Sequence, residues 1–169
     1  GLKKINDELG QSAGDAVLKE IASRLSGLQS DDEVFHVGGD RFVVIASASS
    51  YSTPQAHGQR VVKAVCQPIT VENVSVEVAV SLGYATFPSD AEDLQGLVRS
   101  AECAMYVAKK SGANVMMAFE PSMDRMMRER ARMLTDLKLA IRSNSIVPHY
   151  QPLVDLKTGH VIGYEALAR

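Results

Sequence analysis

The chain has 169 residues, 46% hydrophobic and 22% charged, with 18 Lys and Arg against 20 Asp and Glu. That near-balance excludes bulk electrostatic capture of nucleic acid or of an acidic membrane surface, and no apolar run is long enough to cross a bilayer. Cys66 and Cys103 share no CxxC or Cys/His metal spacing, so they read as free buried thiols of a reducing cytoplasm. No signal peptide and no initiator Met are visible. Gly1-Leu2-Lys3-Lys4-Ile5-Asn6 reads as the middle of a longer chain. Both ends are therefore expected to be cuts, with any sensor domain or membrane anchor upstream.

In chain order, Val17, Leu18, Ile21 and Leu25 fall on one helical face and predict a helix over Asp15 to Leu28. Ser12 and Asp15 have the spacing of a capping box at its start. Val34–Val37 and Phe42–Ile45 are β-prone runs on either side of Gly38-Gly39-Asp40-Arg41, a tight hairpin signal. A helix is predicted from Thr53 to Gln67, ended by Pro68. Ile69–Val71 and Val74–Phe87 read as a strand pair around Glu72-Asn73. Ala91–Ser111 is helical, with Gly112 as its stop, and Val115–Phe119 is a strand. Met123–Ser143 has no Gly or Pro and predicts one long helix with a packing stripe of Met126, Arg130, Met133, Leu137 and Ile141. A hairpin closes the chain, Val147–Leu156 and His160–Leu167 around Lys157-Thr158-Gly159. Helices and hairpins mix without a βαβ rhythm, which makes the fold class α+β.

The hairpin carries the first chemistry. Two glycines at a tip let a backbone approach a bulky polyanion, and a carboxylate beside them suits Mg²⁺. Alone, Gly38-Gly39-Asp40 is equally consistent with a plain turn. Its company alters that reading. Asn6-Asp7-Glu8-Leu9-Gly10-Gln11-Ser12-Ala13-Gly14-Asp15 precedes it, and Ser81-Leu82-Gly83-Tyr84-Ala85 and Ala101-Glu102-Cys103-Ala104-Met105-Tyr106-Val107-Ala108-Lys109-Lys110-Ser111-Gly112 follow. The ordered set resembles the GGDEF family of diguanylate cyclases over residues 1 to about 119.

The resemblance implies a sheet flanked by helices, akin to nucleotidyl cyclases and polymerase palms. It implies two such domains meeting as a homodimer, each holding a GTP, to form cyclic di-GMP. Carried over by residue, Asn6 and Asp15 recognise guanine, Gly38 and Gly39 admit the phosphates, Asp40 binds metal or assists catalysis, and Lys109 contacts phosphate. A carboxylate accepting two guanine N–H donors suits the first role. Helix capping for Asp15 and a solvated surface for Lys109 are the plain alternatives.

Several positions depart from that pattern. The family's metal-binding Asp pair belongs on a strand before Gly1, so the domain is expected to lack its first strand. Arg41 stands where the motif has a metal-binding Glu. Arginine has no lone pair to offer a cation, and unit charges about 4 Å apart interact by roughly 4 kcal/mol at an effective dielectric near 20. Arg41 is therefore expected to oppose metal, to face the nucleotide pocket or solvent, and to be able to pair with a triphosphate directly. Ala113 and Gln11 replace a usual Arg and His. The family's product-inhibition Arg-x-x-Asp falls on Gln29 and Asp32, leaving only the Asp. The expectation is a degenerate, inactive GGDEF domain.

Tyr150-Gln151-Pro152-Leu153-Val154-Asp155-Leu156 and Gly163-Tyr164-Glu165-Ala166-Leu167-Ala168-Arg169 resemble the opening of an EAL domain. That family is a barrel-like phosphodiesterase that cuts cyclic di-GMP with two Mg²⁺ or Mn²⁺ ions. By resemblance Glu165 is a metal ligand, and Gln151 and Arg169 contact the dinucleotide. The expected division is 1–119 GGDEF, 120–145 linker helix and 146–169 EAL start. The expected function is a phosphodiesterase regulated by the inactive domain, with GTP as a regulatory ligand. A non-catalytic receptor for cyclic di-GMP or GTP is the alternative, and an active cyclase a third reading.

Overall fold

Two helices open the chain, α1 over Leu2–Leu9 and α2 over Gln11–Ser26. Leu2, Ile5 and Leu9 repeat at helical spacing, and Ile5 packs with Ala13 and Val17 of α2 against Ile69 and Val71. The capping box expected at Ser12 and Asp15 does not form. Gly10, at φ 87°, is the N-cap and no side chain caps the helix. A glycine takes that left-handed turn without steric cost, so α2 begins at Gln11 and both residues lie inside it.

This is a computed structural model, and it describes residues 2–47 and 53–169. Strands β1 (Glu33–Gly38) and β2 (Arg41–Ile45) form the predicted antiparallel hairpin, with Val34 opposite Val44 and His36 opposite Phe42. Helix α3 (Pro54–Val65) starts as its sequence dictates: Thr53 accepts from the Ala56 N–H and proline fills the first turn. Leu25, Val61 and Val65 form a second core, against which Val34, Phe42, Val44 and Leu82 pack. Arg24 fastens α2 to the end of α3 by donating to the carbonyls of Ala64, Gln67 and Pro68.

The run Val74–Phe87 is not one strand. β3 (Ile69–Val71) and β4 (Val74–Val76) pair antiparallel, turning through Glu72 and Asn73, both at positive φ, as a two-residue turn between twisted strands requires. The chain then leaves the ladder and re-enters as β5 (Ser81–Tyr84), which pairs parallel with β6 (Val115–Ala118). Helix α4 (Leu94–Ser111) connects them. A βαβ unit is therefore present, contrary to the rhythm read from the sequence. The strands have four residues each, and Gly83 contributes no side chain to the pattern.

Asp93 caps α4 by accepting from the Gly96 N–H at 2.6 Å. Cys103, Ala104 and Ala108 of α4 are buried. At Gly83 an added Cβ would collide with backbone atoms of Met105 and Ala101, so helix and strand meet there at the closest approach a backbone allows.

The described chain divides into two compact units, the first ending at Asp124 and the second from Arg125 to Arg169. Helix α5 (Pro121–Arg142) begins in the first, where Met123 is buried and Asp124 pairs with Arg99 at 2.7 Å. In the second unit, Met126, Met133, Leu137 and Ile141 of α5 are exposed. Strands β7 (Pro148–Val154) and β8 (Val161–Ala168) pair antiparallel. No helix among the described residues is long and apolar enough to cross a membrane.

Candidate nucleotide site

The β1–β2 tip is shaped by its glycines. Gly38 and Gly39 have φ of 107° and 62°, and a Cβ added at either would meet none of the described residues within 4 Å. The ladder shifts register between His36 and Gly38, which leaves Val37 as an extra residue and bends the strand. His36 braces the turn. Its Nε2 lies 3.0 Å from the Gly39 carbonyl, and its ring stacks on Phe42 with centroids 4.8 Å apart. Sequence reasoning assigned His36 nothing, although a ring opposite an aromatic across a hairpin is a legible pairing.

Asp40 sits exposed on the tip. Arg41 points to neither of its expected destinations alone. Its Nη1 lies 3.1 Å from Oε1 of Glu102 on α4, while the side chain stays 53% exposed. Lys109 lies seven positions beyond Glu102, two turns along the same helix face, and is exposed. The hairpin and α4 thus bring Arg41 and Glu102 together, with Lys109 about 10 Å further along the same helix face.

Asn6 and Asp15 form a separate group at the α1–α2 crossing. Asn6 is packed so closely on Gly14 that a Cβ there would collide with its side-chain oxygen. That oxygen, Oδ1, is buried with no hydrogen-bond partner among the described residues. A buried acceptor without a donor costs free energy, so a ligand N–H would be welcome there. Asp15, the next residue after Gly14, presents its carboxylate to solvent.

Metal fit is poor. Among the described residues no group of three or more His, Cys, Asp and Glu side chains gathers to hold an ion. The carboxylate of Asp40 is followed directly by the guanidinium of Arg41. A groove of about 620 Å³ lies along Ala16, Lys19, Glu20, Arg24 and Pro68–Val71, and includes none of the residues singled out from the sequence.

Asp32 turns inward. Its side chain is fully buried, with Oδ2 3.7 Å from His57 Nε2 on α3. Burial pulls the His57 pKa below 6.5; Asp32 opposes that shift and Arg60 adds to it. A histidine with a depressed folded pKa contributes stability that is fully present above the unfolded pKa. That contribution is lost as pH falls through the folded value. The unfolding midpoint should therefore decline as pH drops from 6.5, and His57→Gln should flatten that part of the profile in thermal melts. An unchanged slope would count against His57 as the responsive group.

In the second unit the hairpin register sets Gln151 directly opposite Glu165. The ladder continues past β8, since Val147 and Arg169 exchange both backbone hydrogen bonds, at 2.9 and 3.0 Å. With period-two alternation, Gln151, Glu165 and Arg169 share one hairpin face. All three are exposed.

The family model for the diguanylate cyclase GGDEF domain matches residues 1–115. The chain belongs to the GGDEF domain family of cyclic di-GMP signalling proteins. The fold agrees: the GGDEF domain of YfiN from Pseudomonas aeruginosa superposes with a TM-score of 0.67 at 31% identity, covering 75% of this chain and 76% of that one. An EAL/GGDEF domain protein from M. capsulatus gives 0.63 at 32% identity, over 72% and 79%. Among curated relatives, the bifunctional diguanylate cyclase/cyclic di-GMP phosphodiesterase MucR of P. aeruginosa is 35% identical over 100% of this chain and 25% of its own length. The cyclic di-GMP phosphodiesterase PdeR of Escherichia coli is 33% identical over 99% of this chain and 25% of its own. The chain therefore spans about a quarter of these relatives.

Proposed function

We propose that residues 1–119 are a GGDEF domain that binds GTP without converting it to cyclic di-GMP. In this reading it regulates an EAL-type phosphodiesterase that begins near residue 146, after a linker over 120–145. The observation that carries the first half is Arg41, a guanidinium at the motif's metal-binding position, held by Glu102. The inward Asp32 adds to it, because a carboxylate buried beside His57 is not offered to a product at the surface. Asn6 and Asp15 supply guanine recognition. For the second half, Gln151 and Arg169 contact the dinucleotide. Glu165 is a ligand to Mg²⁺ or Mn²⁺, ions that activate water and neutralise phosphoryl charge when bound. Support comes from the shared hairpin face and from relatives named as phosphodiesterases along nearly all of this chain.

Full-length protein incubated with GTP and Mg²⁺ should yield no measurable cyclic di-GMP from this domain, yet bind GTP in calorimetry. Asp15→Ala should weaken that binding by about tenfold or more, the scale of a hydrogen bond to a charged acceptor. Sustained cyclase turnover would overturn the reading of Arg41. If dinucleotide binds without being cut, the protein is instead a receptor for cyclic di-GMP.

A further inference from the structure

We propose that Arg41 and Glu102 form a latch, in which Glu102 occupies the arginine until a nucleoside triphosphate, bound without a divalent cation, displaces it. This rests on the nucleotide-site reading above and adds to it the form of the ligand and the residue that competes with it.

The geometry has three parts. Arg41 reaches from the end of the glycine tip to α4, with Nη1 3.1 Å from Glu102 Oε1 and the two side chains 53% and 49% exposed. Ion pairs that open to water are weak. A triphosphate offers a guanidinium several charged oxygens in a forked arrangement, a stronger partner than one carboxylate contact. Second, the space beside Gly38 and Gly39 is open, so phosphate can reach the tip from which Arg41 departs. Third, Lys109 lies along the same face of α4 as Glu102, whereas Lys110 is turned over the Tyr106 ring at 5.4 Å. Releasing Arg41 from Glu102 places two cations, Arg41 and Lys109, along the phosphate path.

The divalent ion is dispensable because its charge is already present. Arg41, a guanidinium at the motif's fourth position, supplies fixed positive charge where a metal would sit. Glu102 then lowers affinity by competing for the same group, so nucleotide is captured only when it outbids a resident anion.

The test uses full-length protein in EDTA, with GTP and inorganic tripolyphosphate as separate probes in calorimetry. Both should bind. Glu102→Gln should tighten both about fivefold, or about 1 kcal/mol at 1.4 kcal/mol per tenfold. Arg41→Gln should weaken both at least about tenfold. In the Arg41→Gln background, Glu102→Gln should have no further effect, a result that a general structural change on α4 would not give. Unchanged or weaker binding by Glu102→Gln, binding that appears only with Mg²⁺, or no tripolyphosphate binding overturns the latch. If tripolyphosphate follows this pattern and GTP binds no better, the guanine assignment fails and the latch stands.

Discussion

Gly83→Ala is expected to lower the thermal unfolding midpoint by roughly 10 °C or more, the scale of about 3 kcal/mol in a domain of this size. The cause is local. An alanine Cβ at this point of β5 would collide with the Met105 amide nitrogen and the Ala101 carbonyl of α4. Backbone atoms cannot rotate away, and α4 is pinned by its buried residues Cys103, Ala104 and Ala108. Gly58→Ala is the control. There the added methyl would meet the sulfur of Met116, the far part of a flexible side chain, so the loss should be smaller. Equal melting of Gly83→Ala and wild type in calorimetry would mean that α4 is not seated on β5 as described.

Glu165→Gln is expected to cut cyclic di-GMP hydrolysis by the full-length protein at least about a hundredfold, roughly 2.7 kcal/mol of transition-state stabilisation. The amide keeps the shape of the side chain and removes the charge a hard cation requires. GTP binding at the glycine hairpin should be unaffected, which separates this effect from misfolding. Arg169→Ala should act differently, weakening dinucleotide binding more than turnover at saturation. Hydrolysis assays across a Mn²⁺ titration decide the matter. A Glu165→Gln protein as fast as wild type at every metal concentration would remove Glu165 from the metal site.

Elements with local punctuation were legible. Thr53-Pro54 marked the start of α3, Gly38-Gly39 marked the hairpin tip, and the Gly- and Pro-free run marked α5. Gly10 was illegible as a helix boundary because Ser12 and Asp15 offered a competing capping signal, and only the backbone angle decides between them. The parallel pairing of β5 with β6 joins residues 34 positions apart, Ser81 with Val115, and no window of sequence contains that information. The candidate site divides in the same way. Its family blocks named Asn6, Asp15, Asp40 and Lys109, but the contact that gives Arg41 a partner spans 61 positions. Glu102 lies inside the Ala101–Gly112 stretch, where spacing alone gives it no chemistry. The inward turn of Asp32 onto His57 was hidden for the same reason, since burial belongs to packing rather than to spacing.

The β7–β8 hairpin holds one residue more on β8 than on β7. Leu153 faces Gly163 while Val154 faces Val161, so Ile162 is the odd one. At the turn the Asp155 carboxylate accepts from the N–H groups of Thr158 and Lys157, both at 2.8 Å, and these donors hold its pKa below the usual carboxylate value. Side chains in a strand alternate, so a slip of one residue reverses every face. The common orientation of Gln151, Glu165 and Arg169 is therefore a matter of parity. Its two fixed points, an unpaired isoleucine and an aspartate at the bend, lie outside the trio they orient. Were Ile162 drawn into a regular ladder from the same turn, Tyr164 would face Gln151, and Glu165 and Arg169 would lie on the other side.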